Sequence, residues 1–168
     1  QADIKVTLLE AESELLLDMR ASNFHPPSLD MLDRLGVTPA LIEQGLITPQ
    51  FQYRDRLDGL IAEFDLAAIS EHTNHPYRLQ AEQYKLTRII VDRLPDYPHV
   101  DFQYNARATD LEQNDSSVTV HYDTPDGRQS VSADYFLACD GSNGFARKIL
   151  NIEFPGFTFP ELFLVVST

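Results

Sequence analysis

Two carboxylates stand where a folded chain could present them to a ligand. Glu10 ends a segment from Ile4 whose apolar residues (Ile4, Val6, Leu8, Leu9) alternate and then run together, as in a buried strand. At the tip of such a strand an ionised carboxylate is a strong acceptor for paired hydroxyls, the part it plays on ribose in dinucleotide-binding folds. Glu10 also reads as an ordinary exposed glutamate beside Glu12 and Glu14. Asp140-Gly141 follows the apolar run Tyr135-Phe136-Leu137-Ala138-Cys139 and precedes a short helical stretch with Arg147 and Leu150. A strand ending in Asp-Gly puts a carboxylate and a freely turning backbone at the carboxyl edge of a sheet, where open α/β folds bind their ligands. The same pair reads equally well as a plain strand-to-helix turn with Asp as cap.

Other candidate chemistry is sparse. Arg20, ahead of Ser22-Asn23, could meet a phosphate or a polar ring system, although most arginines lie on surfaces. His25, His72, His75, His99 and His121 lack metal-ligand spacing, and one cysteine, Cys139, argues against zinc or iron–sulfur binding, so no metal site is expected. There is no GxSxG elbow, no GxGxxG turn and no P-loop.

The elements that must hold these residues follow from periodicity and punctuation. Pro26-Pro27 precedes Ser28, a good N-cap, and Leu29, Leu32 and Leu35 space a short helix that Gly36 can close. Thr38 and Pro39 open a second short helix ending at Gly45. Phe51, Tyr53, Leu57, Leu60, Ile61 and Phe64 predict short strands around Asp58-Gly59. Leu79 to Leu94 carries a helical stripe (Leu86, Ile89, Ile90, Leu94) that Pro95 ends. Strands are predicted over 100–109, 118–123 and 128–132, the last two joined by Thr124-Pro125-Asp126-Gly127. The order is an α/β layout with a β-rich insertion.

Composition sets the bounds. A length of 168 residues with 43% hydrophobic content suits one modest domain, and 23% charged residues without low-complexity tracts is not a disordered composition. A net charge of −13 argues against nucleic acid or an anionic membrane as partner. No apolar run approaches the ~20 residues that span a bilayer, and no signal peptide opens the chain. The single cysteine suits a reducing compartment, so a cytoplasmic location is expected. Both ends read as interrupted. The chain starts at Gln1 almost directly on a strand and stops on Leu162 to Thr168, strand-like with nothing after it, which predicts a fragment.

Together these residues resemble a known family. Tyr135-Phe136-Leu137-Ala138-Cys139-Asp140-Gly141, followed by Arg147, Leu150, Ile152, Phe154 and Gly156, resembles the "DG" motif of class A flavoprotein aromatic hydroxylases, the para-hydroxybenzoate and phenol hydroxylase type. The chain departs from that motif at Gly144, where serine is common, and at Asn151, where glycine is usual; on the sequence neither touches Asp140 or Arg147. Val6 to Glu10 resembles the family's second strand with its ribose-binding glutamate. Arg20, with His25-Pro26 leading to Leu32-Asp33-Arg34-Leu35-Gly36, resembles the arginine segment and its "Leu-x-x-Leu-Gly" helix. Leu79 to Gln83 resembles the segment whose glutamine contacts flavin, with Gln83 the best fit.

The resemblance implies an FAD/NAD(P)-binding, Rossmann-like fold of the glutathione-reductase type with a β-meander, incomplete here, and the start of an α+β substrate domain. It divides the chain into 1–45 and 76–156 as FAD-binding parts, 46–75 as a β-rich insertion toward the substrate, and 157–168 as the beginning of the substrate-binding sheet. It implies FAD as cofactor and NAD(P)H as co-substrate, with O2 and a small aromatic molecule as partners, and leaves a homodimer open. The implied reaction is hydroxylation of a phenolic ring through a flavin C4a-hydroperoxide. Glu10, Arg20, Gln83, Asp140 and Gly141 are the implied cofactor-binding residues, with Arg147 structural. The glycine-rich loop and the later Gly-Asp motif of the family are not in this sequence, so this segment alone is not expected to bind FAD tightly. Two alternatives stay open: a flavin-dependent reductase or dehydrogenase of the same fold, and a non-catalytic module.

Overall fold

The computed structural model describes residues 4–17 and 21–162. In chain order the elements are β1 (Val6–Leu9), β2 (Asn23–Phe24), α1 (Pro26–Asp33), α2 (Thr38–Ile42), β3 (Leu46–Thr48), β4 (Gln50–Asp55), β5 (Gly59–Asp65), β6 (Arg78–Gln80), α3 (Gln83–Val91), β7 (Val100–Gln103), β8 (Arg107–Gln113), β9 (Val118–Thr124), β10 (Gly127–Ala133) and α4 (Phe145–Ile149). They form two compact units, residues 1–14 with 98–168, and residues 15–97.

In the first unit β1 pairs in parallel with β7, Val6 opposite Val100 through Leu9 opposite Gln103. Backbone bonds extend the ladder at both ends: Val6 N–H donates to the His99 carbonyl at 2.9 Å and Glu10 N–H to the Gln103 carbonyl at 2.8 Å. The predicted 100–109 strand is two strands, because Asn105 takes a left-handed conformation (φ 52) between β7 and β8. Asparagine is one of the few side chains that tolerates that region. The chain then turns into the antiparallel meander β8-β9-β10. The β9–β10 turn is as the sequence predicts, with Pro125-Asp126 at its tip and Gly127 at φ 112. Leu111, Val118 and Val120 form the meander's core, on which Leu9, Phe136, Phe145 and Ile149 pack.

Two expectations of this unit need correction. β1 is not fully buried, since Val6 and Leu8 are 41% and 45% exposed. Among the described residues its only strand partner is β7, so one edge and much of its surface lack cover. Tyr135 to Cys139 is not a strand either. Phe136 packs inward, but Tyr135, Leu137 and Cys139 are exposed, and no described strand offers this backbone a ladder.

The second unit builds its core from Leu29, Val37, Leu41, Leu79, Ala81 and Ile89, with Leu29, Leu41 and Leu79 at 0% exposure. Pro26 and Pro27 occupy the first turn of α1, so the cap position falls on His25 rather than Ser28. Thr38 does not cap α2. Its hydroxyl is buried and donates to the Leu29 carbonyl at 3.2 Å, tying the two helices. The predicted Leu79–Leu94 helix begins later, at Gln83. Residues 78–80 instead form the middle strand of the sheet β2-β6-β3, and the pattern of tertiary pairing overrides the helical stripe there. Gly45 makes this possible, because a Cβ on it would come within 2.9 Å of the Gln80 carbonyl. The β4–β5 hairpin turns at Gly59 (φ 77), and Phe51, Tyr53 and Phe64 form an aromatic cluster on it, Phe51 and Phe64 stacked at 4.8 Å. No helix among the described residues is long and apolar enough to cross a membrane.

Leu79→Ala should cost about 2–5 kcal/mol, because it opens a cavity among wholly buried neighbours. Leu57→Ala, at a site 90% exposed, should stay within about 0.5 kcal/mol. Denaturant unfolding of the two variants measures the contrast, and equal midpoints would contradict this assignment of the core.

Candidate functional site

Glu10 lies one residue past the carboxyl end of β1, held from both sides by backbone. Its N–H donates to the Gln103 carbonyl, and its own carbonyl accepts from Ala106 N–H at 2.8 Å. The side chain bends back so that Oε1 accepts the Glu12 amide at 2.9 Å. The carboxylate is therefore oriented by the main chain, and among the described residues no donor meets Oε2. Glu12 accepts Asn105 N–H through its carbonyl at 2.9 Å and meets Arg107 Nη2 through its carboxylate at 3.3 Å. Both Glu12 and Arg107 side chains are at least half exposed in that pair, which is worth little by itself.

Asp140 is folded back over the next turn. Its Oδ2 accepts the Ala146 amide at 3.0 Å, which places a carboxylate on the open amides at the start of α4. The intervening loop reverses at Gly141, whose φ of +75 favours glycine, and closes with Gly144 N–H donating to the Gly141 carbonyl at 3.0 Å. Gly144 is buried, and a Cβ on it would run into the Asp140 carboxylate. The substitution at position 144 therefore does touch Asp140, contrary to the expectation from sequence. At Asn151 the other departure has a simple basis: the residue sits at φ 53, where asparagine can replace glycine at modest cost.

Arg147 holds this loop as expected. Nη2 donates to the Ser142 carbonyl at 3.3 Å and Nη1 to the Ile152 carbonyl at 3.4 Å, and the guanidinium lies 5.1 Å from the Phe154 ring centre. One fork thus bridges the chain before and after α4.

Glu10 and the Asp140 turn share one unit, and their neighbours Leu9, Phe136 and Phe145 pack on the same core. Gln83 belongs to the other unit. It is the first residue of α3, exposed, with its amide donating to the Ala21 carbonyl at 2.9 Å. Arg20 lies outside the described residues. Sequence reasoning missed Gly144 as a partner of Asp140. The available signal was a second glycine three residues after Gly141, read only as a departure from a motif.

A strand-tip carboxylate beside a parallel neighbour and an Asp-Gly turn thus stand in one unit of an α/β chain. Residues 1–167 match the family model described as "FAD binding domain", and the chain belongs to that family. It is 32% identical over 161 residues to para-nitrophenol 4-monooxygenase of Pseudomonas sp. (strain WBC-3), covering 96% of this chain and 40% of that protein. It is also 32% identical to 6-hydroxy-3-succinoylpyridine 3-monooxygenase of Pseudomonas putida (strain DSM 28022 / S16), covering 100% of this chain and 43% of that protein. The crystal structure of p-nitrophenol 4-monooxygenase from Pseudomonas putida DLL-E4 superposes with a TM-score of 0.88 at 31% identity, covering 92% of this chain and 39% of that one. The chain therefore spans about two fifths of the length of these relatives.

Gly144→Ser should push the Asp140 carboxylate off the Ala146 amide and destabilise by about 0.5–2 kcal/mol, the loss of one capping bond. Because the clash is with Asp140, most of that cost should vanish in an Asp140→Ala background, giving a coupling of about 0.5–2 kcal/mol. A double-mutant cycle on unfolding free energies reads this directly, and additive effects would show that Asp140 does not rest on Gly144.

Proposed function

We propose that this chain forms the FAD-binding part of a flavin-dependent monooxygenase that hydroxylates a phenolic or related aromatic ring at the expense of NAD(P)H. The observation that carries the reading is Glu10 at the carboxyl tip of β1, with its carboxylate oriented by the Glu12 amide, in a chain that belongs to the FAD-binding family. Its similarity to two aromatic-ring monooxygenases over nearly its whole length supports the reaction class. The proposed fold is Rossmann-like, of the glutathione-reductase type, with residues 1–45 and 76–156 serving FAD, 46–75 reaching toward the substrate and 157–168 opening the substrate sheet.

Bound FAD supplies the passage of two electrons from NAD(P)H and the activation of O2, one of whose oxygen atoms enters the ring while the other leaves as water. The protein's share is binding and placement. Glu10 accepts hydrogen bonds from the adenosine ribose hydroxyls through its carboxylate. Arg20 and Gln83 serve the pyrophosphate or flavin. Asp140 fixes the turn by holding the Ala146 amide, so that the Gly141 backbone, which carries no side chain, can approach a ligand closely. Arg147 keeps that turn closed from behind. Glu10, Asp140 and Arg147 are each held by bonds within the chain before the ligand arrives, which reduces the ordering cost of binding.

In the whole protein, Glu10→Ala should weaken FAD binding by about tenfold, the loss expected for a charged hydrogen bond of roughly 1.5 kcal/mol. Fluorescence titration of the apoprotein with FAD measures it. The reaction itself is tested by NAD(P)H oxidation over a panel of phenols with mass analysis of the products. Ring hydroxylation tied to NAD(P)H consumption is the expected result. A reduced product without oxygen incorporation would establish the reductase alternative, and a whole protein that ignores added FAD would establish the non-catalytic one.

A further inference from the structure

In the second unit three side chains converge from α1 and from the segment entering β6. Asp30, Asp33 and His75 each bring one potential ligand atom to within 4.8 Å of the others. Asp30 and Asp33 stand three apart on α1 and so project from one face of it. His75 is buried, with its side chain only 10% exposed. Its Nε2 lies 2.6 Å from Asp33 Oδ2, and its Nδ1 lies 2.8 Å from the Tyr77 hydroxyl. The Asp30 carboxylate is the anomaly. Its Oδ1 is wholly buried and has no hydrogen-bond partner among the described residues. A buried carboxylate oxygen without a donor is costly, and a second carboxylate on the same helix face adds repulsion that one imidazole relieves only at Asp33.

We propose that Asp30, Asp33 and His75 form a binding site for a divalent cation of the zinc class. Two carboxylates and a neutral imidazole balance a doubly charged ion, and oxygen and nitrogen donors in this proportion suit zinc. With metal–ligand bonds of about 2.0–2.2 Å, a tetrahedral ion wants its donors roughly 3.4 Å apart. To reach that spacing the His75–Asp33 contact of 2.6 Å must open, while all three ligand atoms already lie within 4.8 Å of one another. Binding uses the tautomer of His75 that carries its proton on Nδ1, so that Nε2 turns a lone pair to the ion.

In the metal-free chain the Nε2 contact with Asp33 calls for a proton on Nε2, so binding moves that proton to Nδ1 and frees Nε2 for the ion. The Tyr77 hydroxyl beside Nδ1 can accept its proton, the outer-shell bond that ligating histidines commonly make. The ion would join α1 to the β6 lead-in, with a fourth position left for water.

The test uses the whole protein, stripped with a chelator and titrated with ZnCl2 at neutral pH by calorimetry. One site per chain is expected. Asp30→Asn, which keeps the shape and removes the charge, and His75→Gln should each weaken it at least about tenfold. Tyr77→Phe keeps all three ligands and should weaken it by about tenfold. Circular dichroism of each variant confirms that the fold is kept, and X-ray absorption at the zinc edge should show one nitrogen and two or three oxygens from protein and water. Absence of a saturable site in the native protein overturns the proposal. So does zinc binding of unchanged strength in both Asp30→Asn and His75→Gln, which would place the ion elsewhere.

Discussion

The parallel register of β1 on β7 is the constraint from which the placement of Glu10 and the packing of the first unit follow. Parallel strands bond evenly along their length, and here the ladder runs past both strand ends through Val6 and Glu10. That places Glu10 beside the end of β7, where its carbonyl takes the Ala106 amide and starts the chain into the meander. Leu9, one residue back, packs on the meander core together with Phe136, Phe145 and Ile149. A slip of one residue would turn Leu9 away from that core and move the carboxylate off the strand tip. The strand thus sets the place of Glu10 and joins the packing that supports the Asp140 turn.

The turn itself depends on small residues and backbone groups more than on its charge. Asp140 is conspicuous in the sequence, yet in the folded chain its carboxylate is occupied with the Ala146 amide. Gly141 provides the positive φ, Gly144 provides the room, and Arg147 ties the far side to Ser142 and Ile152. Such an arrangement presents backbone to a ligand in a fixed shape, which is what an FAD-binding domain requires of its loops.

Much of this was legible in the sequence where local chemistry decides the outcome. The Asp58-Gly59 and Asp126-Gly127 turns lie where their residues place them, because positive φ is a local demand. The helix stripe of Leu86 and Ile89 packs on the second core for the same kind of reason. The reading was weaker where long-range pairing decides. Residues 78–80 continue a helical pattern but are taken into a sheet by β2 and β3, and the run from Tyr135 to Cys139 looks like a strand but has no described partner. Contacts between distant residues left no trace at all: nothing in the spacing of Asp30, Asp33 and His75 announces that they meet, nor does Gly144 announce that it carries Asp140.

The account rests most heavily on Glu10 as the ribose contact, since that residue links the strand register to the cofactor. A crystal structure of the whole protein with FAD tests it directly. The expected result is an adenosine ribose whose hydroxyls lie about 2.5–3.0 Å from the Glu10 carboxylate at the tip of β1. A bound FAD whose ribose is held by other groups, with Glu10 turned to solvent, would contradict it.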